Sequence, residues 1–232
     1  MKNVFLAIGL TMSFVMPVKA SATDDATKVR ALKKEIVALA ESYRGEDDPK
    51  GERQDNLNKK ISKLLKVAPQ TPSSERTRRI AGAWEQVWGP YNYENQGPLK
   101  TDPSYIYQIV DESGFYYNIT RSEFDGQKIT AFLRGEFDPE GDRLRIRFTS
   151  NIFYVNGWLP KGTSLTELAR LVEGGILNGP EVPSGGQGPK GKRGFLREVF
   201  VDDEIRITYG SEENDAPGTG NLYVLKRVKA TK

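Results

Sequence analysis

The sequence predicts a mainly β chain, an antiparallel barrel of about eight or nine short strands preceded by a pair of helices. Three observations carry this expectation. Apolar residues between Val29 and Leu65 recur at helical spacing, whereas those from Trp84 onward alternate at the period of a strand. Clusters of Gly, Pro, Asp and Asn punctuate the second region. A sheet of that many short strands has to hide its edges, and closure does so most completely.

The N-terminal 22 residues stand apart from this pattern. Lys2 gives a positive start, Val4 to Met16 is mostly apolar, and Ala20-Ser21-Ala22 fits a small-x-small cleavage site. Residues 1–22 therefore read as a secretory signal peptide, which predicts an exported bacterial protein, periplasmic or secreted. The apolar run falls short of the ~18–20 residues of a membrane span, and no later stretch approaches that length. Cleavage after Ala22 removes Lys2 and Lys19 from 34 basic residues, leaving 32 against 31 acidic ones. The basic balance thus belongs partly to the signal, and no nucleic-acid partner is expected. The chain has no Cys and no His. Their absence excludes Ser-His-Asp and Cys-His nucleophile systems and zinc sites built from those residues. It also leaves packing, not disulfides, to hold an exported fold together.

Residues 23–74 read as the helix pair and a linker. Val29, Leu32, Ile36, Leu39 and Tyr43 make one apolar stripe, which predicts a helix from Ala26 to Arg44 stopped by Gly45. Leu57, Ile61, Leu64 and Leu65 make a second, over Gly51 to Lys66, ended by Pro69. Pro69 to Ser74 is read as linker. The barrel is expected over 75–232.

The stretch from Ile80 to Pro90 opens the barrel. Strand alternation puts Trp84, Gln86 and Trp88 on one face and Glu85 and Val87 on the other. Tyr105 to Val110 is the next strand, and Phe115 to Thr120 returns from it, with Phe115, Tyr117 and Ile119 on one face. Lys128 to Phe137 continues the meander. In Arg143 to Phe148 three arginines alternate with Leu144, Ile146 and Phe148, a sheet with one dry and one wet face. Ser164-x-x-Glu167 is a capping box before a short helix over Leu165 to Glu173. Gly179 to Gly194 reads as a long loop. Leu196 to Val201, Glu204 to Tyr209, with Ile205 and Ile207 on one face, and Asn221 to Lys229 complete the set.

Few motifs carry chemistry. Gly186 to Lys192 has the spacing of a phosphate loop, but Arg193 stands where the magnesium-binding hydroxyl belongs and no strand leads in. Asp202, Asp203 and Glu204 form a carboxylate cluster that a turn explains most simply. Asn118-Ile119-Thr120 has the form of a glycosylation sequon inside a strand. Closure pairs the last strand with the first, which places Arg227 over Trp84, a cation–π contact of ~0.5–2 kcal/mol.

Together these residues resemble the plastid lipid-associated protein/fibrillin family. The resemblance runs from Val29 to Lys229. It rests on the helix pair with Gly45 between, Gly82-x-Trp84, the run from Asp202 to Gly210 containing Ile205-Arg206-Ile207, and the closing Leu222-Tyr223-Val224-Leu225. Family members close with an Asp-rich pair before a Leu-Arg-Ile strand ending in Gly, then a Phe-Val-Leu-like strand. The sequence departs from them in its secretory signal and in the Gly179–Gly194 loop. The resemblance implies a lipocalin-like barrel that binds hydrophobic molecules, associated with lipid globules or membranes, and brings no catalytic residue with it.

The expectation is therefore an exported, non-enzymatic binding protein for a lipid or isoprenoid-like hydrophobic ligand, with peripheral membrane contact and no cofactor. Its lining is assigned to Trp84, Phe115, Tyr117, Ile119, Leu144, Ile146, Phe148, Ile205 and Ile207. Two alternatives stay open: a barrel filled by its own side chains with a structural or membrane role, and an enzyme built on carboxylates such as Asp202 or Glu204.

Overall fold

The computed structural model describes residues 22–90, 99–154, 164, 167, 190–213, 215 and 220–228. Three helices precede eight strands: α1 Ala22–Ser42, α2 Glu52–Val67, α3 Ser73–Ile80, β1 Gly82–Trp88, β2 Leu99–Asp111, β3 Phe115–Phe124, β4 Gln127–Glu140, β5 Arg143–Tyr154, β6 Arg193–Val201, β7 Ile205–Glu212 and β8 Asn221–Arg227. Each strand pairs antiparallel with the next and β8 pairs with β1, so the sheet closes into an eight-stranded barrel. Residues 1–21, nearly all of the expected signal peptide, lie outside the described residues. So do most of the helix expected over Leu165–Glu173 and most of the Gly179–Gly194 loop. Of the capping box, the Glu167 N–H donates to Ser164 Oγ at 3.0 Å.

The third helix replaces part of the expected linker. It is strongly polar and buries only Ile80, so no apolar periodicity announces it. What holds it is charge placement. Glu75 lies in the first turn, Arg78 and Arg79 in the last, and Arg79 pairs with Glu75 at 3.0 Å.

Inside and outside follow from which side chains meet the helices. Ile36, Ala40, Leu57, Ile61 and Leu64 of α1 and α2 pack with Phe200, Ile205, Ile207, Leu222 and Val224. Those strand residues therefore face outward, and their neighbours Arg206, Thr208, Tyr223 and Leu225 face in. Lys33 fastens α1 to the turn before β7, with its Nζ 2.6 Å from Asp202 Oδ2 and also paired with Glu204. Asp202 Oδ1 accepts the N–H groups of Glu204 and Ile205 at 2.8 and 2.9 Å. The carboxylate cluster is thus a turn that anchors a helix.

β1 departs from simple alternation. Gln86 pairs with Leu225 but Trp88 pairs with Val224, so one residue is extra in β1. This bulge returns Trp88 to the outer face beside Val87. There it meets the Tyr43 ring edge-on at 5.9 Å.

Candidate functional site: the barrel interior

The inward face has three levels. At the end closed by α3, Trp84, Tyr116, Phe137, Leu144, Ile146 and Leu225 pack with Ile80 and Val110 into a buried floor. Gly135 makes this floor possible, because a Cβ there would lie 2.1 Å from the Tyr116 ring. At the far end Thr101, Ile106, Ser122 and Ile129 are again buried, with the Thr101 and Ser122 hydroxyls 3.0 Å apart. Between these layers Gln108, Asn118, Leu133, Phe148, Leu196 and Tyr223 face in and stay partly exposed. On the same strands the outward-facing Ile119 and Phe132 are 0% exposed. At this level the inward Asn118 and Leu133 are thus more exposed than the outward Ile119 and Phe132 beside them.

Among the described residues the pairing of the wall is also shorter on one side of β2 and of β5. The β1–β2 ladder ends at Glu85 and Tyr107, and backbone bonding from β5 toward β6 runs on to Phe148, whose N–H donates to the Lys192 carbonyl and whose carbonyl accepts from the Gly191 N–H. Beyond those points β2 and β5 each have one strand partner among the described residues. Beside the end of the β1–β2 ladder lies a shallow cleft with about 10 Å³ of room, enough for one water molecule. The inward-facing Gln86 and Ile106 line it together with Arg44, Gly89 and Pro103.

Four of the residues assigned to the lining point into the barrel: Trp84, Leu144, Ile146 and Phe148. Five do not, and the assignment is corrected. Ile205 and Ile207 lie under α1 and α2. Phe115, Tyr117 and Ile119 face outward because Tyr116 takes the inner space over Gly135. Outside, Arg134 lies over the Phe115 ring at 4.0 Å and its Nε donates to the Tyr117 hydroxyl at 3.3 Å. Tyr117 and Ile119 join Ile109 and Phe132 in a separate outer cluster.

Trp84 and Arg227 are cross-strand partners, and the guanidinium lies 4.0 Å from the centre of the indole. The pair also caps α3. Trp84 Nε1 donates to the Ile80 carbonyl at 2.7 Å, and Arg227 donates to those of Ala81 and Arg79 at 2.8 and 2.7 Å. Carbonyls at a helix C-terminus have no partner within the helix, and these side chains supply one. Burial lowers the Arg227 pKa below its ordinary value, opposed by the nearby charges of Asp203 and Asp202.

Sequence reasoning missed a polar chain through the lumen. Arg206 is fully buried; its Nε donates to Glu198 Oε2 at 2.9 Å and its Nη2 to Glu198 Oε1. Its Nη1 donates to Gln108 Oε1, and Gln108 Nε2 donates to Asn118 Oδ1 at 3.0 Å. Nearby, burial pushes the Tyr116 phenol well above its ordinary range; Tyr223 adds to this and Arg206 opposes it. A signal for Arg206 was present. If Arg227 stacks on Trp84, then Leu225 shares that inner face, and β7 pairs Leu225 with Arg206. The same step turns Ile205 and Ile207 outward.

Among the described residues no group of three or more His, Cys, Asp or Glu side chains is placed to hold a metal ion. No described helix is long and apolar enough to cross a membrane. The chain matches no protein-family model and no curated protein sequence.

Proposed function

We propose that the chain is an exported, non-enzymatic carrier that holds a lipid or other hydrophobic small molecule at the middle level of its barrel. The observation that carries this reading is the inverted burial of β3 and β4. At that level the inward-facing Asn118 and Leu133 keep accessible surface while the outward-facing Ile119 and Phe132 have none, which is not the pattern expected where side chains fill the whole lumen. Leu133, Phe148 and Leu196 offer apolar surface, and burying ligand against it is worth about 25 cal/mol per Å² before association costs. Membership of the plastid lipid-associated protein/fibrillin family belongs to the same proposal and rests on the residues that carry the resemblance.

The test is native mass spectrometry of the chain purified from its own host without detergent, followed by solvent extraction. The expected result is a polypeptide beginning at Thr23 that carries one lipid or pigment. An apo mass, with no change in Trp fluorescence on adding fatty acids, esters or isoprenoids, removes the carrier reading. A polypeptide retaining residues 1–22 removes export by cleavage.

A specific feature also favours peripheral contact with an anionic bilayer. On the outer face of β5 and β6, Arg143 stands opposite Arg197 and Arg147 opposite Arg193, with Phe195 opposite Arg145 between them. Arg143 lies 4.0 Å from the Phe195 ring centre. Like charges directly opposite destabilise a sheet. Glu136 and Glu140 pair with the β5 arginines from the β4 side, and Arg193 and Arg197 make no ion pair among the described residues. Flotation with phosphatidylcholine vesicles, with and without phosphatidylglycerol, tests this face. Binding is expected only to the anionic vesicles, and changing Arg193 and Arg197 to Ser should weaken it on the order of 10-fold or more. Equal binding to neutral vesicles, or none to either, rules the contact out.

A further inference from the structure

We infer that the ligand carries a neutral hydrogen-bond acceptor, a carbonyl or hydroxyl group rather than a carboxylate, and that Asn118 Nδ2 is the donor that receives it. The inference rests on the carrier reading. It comes from the direction of the polar chain through the lumen.

A guanidinium only donates, so Arg206 Nη1 turns the Gln108 oxygen toward itself. That leaves Gln108 Nε2 to face Asn118, where it finds the Asn118 oxygen at 3.0 Å. The Asn118 oxygen is thereby engaged, and its orientation is set by a charge two residues away in the chain of bonds. Asn118 Nδ2 makes no hydrogen bond among the described residues. Asn118 faces inward beside its cross-strand partner Leu133, at the partly exposed level. Among the described residues this level of the lumen thus presents an N–H donor of fixed direction beside apolar side chains, polarised through the chain by the buried guanidinium.

Charge decides what that donor accepts. The Arg206 cation is already matched by Glu198, whose carboxylate takes two of its N–H groups. A ligand carboxylate would bring an extra negative charge into a desolvated space where, at the level of Asn118, the described residues offer no free cation to meet it. An ester, ketone or hydroxyl needs only the single bond that Asn118 offers.

The experiment is displacement of the neutral fluorescent probe phenylnaphthylamine from the mature chain in mildly alkaline buffer. The competitors are lauric acid, methyl laurate, dodecanol and dodecane. The ester and the alcohol are expected to displace the probe about tenfold more effectively than the ionised acid. Asn118→Leu is expected to weaken ester binding about tenfold while leaving dodecane binding unchanged, which also shows that the variant is folded. An acid that binds as well as the ester, or an Asn118→Leu protein with undiminished ester binding, overturns the inference and leaves the carrier intact. Failure of all four compounds, dodecane included, overturns the carrier reading and the inference together. The comparison of acid with ester needs no variant, so it stands even if Asn118→Leu does not fold.

Discussion

Replacing Arg206 with Met is expected to lower the unfolding free energy by about 3–5 kcal/mol, among the largest effects available to one substitution in this chain. The cost comes from what is left behind. The Glu198 side chain is 1% exposed, and its oxygens accept from Arg206 Nε and Nη2. Without the guanidinium a carboxylate stays in the lumen wall with neither a counter-charge nor water. Gln108 loses the donor that orients it. The double variant Arg206→Met, Glu198→Leu removes both charges and is expected to recover most of the loss, because an apolar pair of similar volume often replaces a buried ion pair at little cost. Urea unfolding of the two single variants and the double variant measures this. Additive losses would show that the two side chains do not act as a pair. The double variant also probes the polar chain, since it removes the Arg206 end while keeping Asn118.

Trp84→Ala is expected to cost a similar amount, about 3–5 kcal/mol, for a different reason. Trp84 is 0% exposed at the barrel floor, so truncation leaves a cavity between Ile80, Tyr116 and Leu225. The indole also donates to the Ile80 carbonyl at the end of α3. The loss should therefore appear both as global destabilisation and as faster amide exchange in α3, whose own apolar burial is confined to Ile80. A cycle of Trp84→Phe with Arg227→Lys separates packing from stacking. Coupling of ~0.5–2 kcal/mol is expected from the guanidinium over the ring, and strictly additive effects would remove the stacking term. If α3 exchange were unchanged in Trp84→Ala, the capping role of the indole would be wrong.

The strands and the helix pair were legible because their signals are local. Alternation of Arg143, Arg145 and Arg147 with Leu144, Ile146 and Phe148 marks β5, and that strand's wet and dry faces were assigned correctly from sequence, since three exposed arginines have only one place to go. The helices showed their stripes at Leu57, Ile61 and Leu64, all of which are buried. α3 was not legible because it has no stripe.

The sequence by itself determined which residues share a face, and the structure alone decided which face is inside. In β7 and β3 both faces carry residues that pack. The outward face of β7 is covered by α1 and α2, and its inward face holds Arg206 and Thr208, so hydrophobicity points the wrong way there. In β3 the choice between Tyr117 and Tyr116 turns on Gly135, a residue on another strand. Likewise the β1 bulge moves Trp88 to the outer face through its pairing with β8, which no pattern within seven residues encodes. Alternation is a property of one strand. The side that becomes the lumen is a property of closure: Glu198 with Arg206, and Gln108 with Asn118, meet across neighbouring strands, but only closure brings Arg206 to Gln108, 98 residues away along the chain.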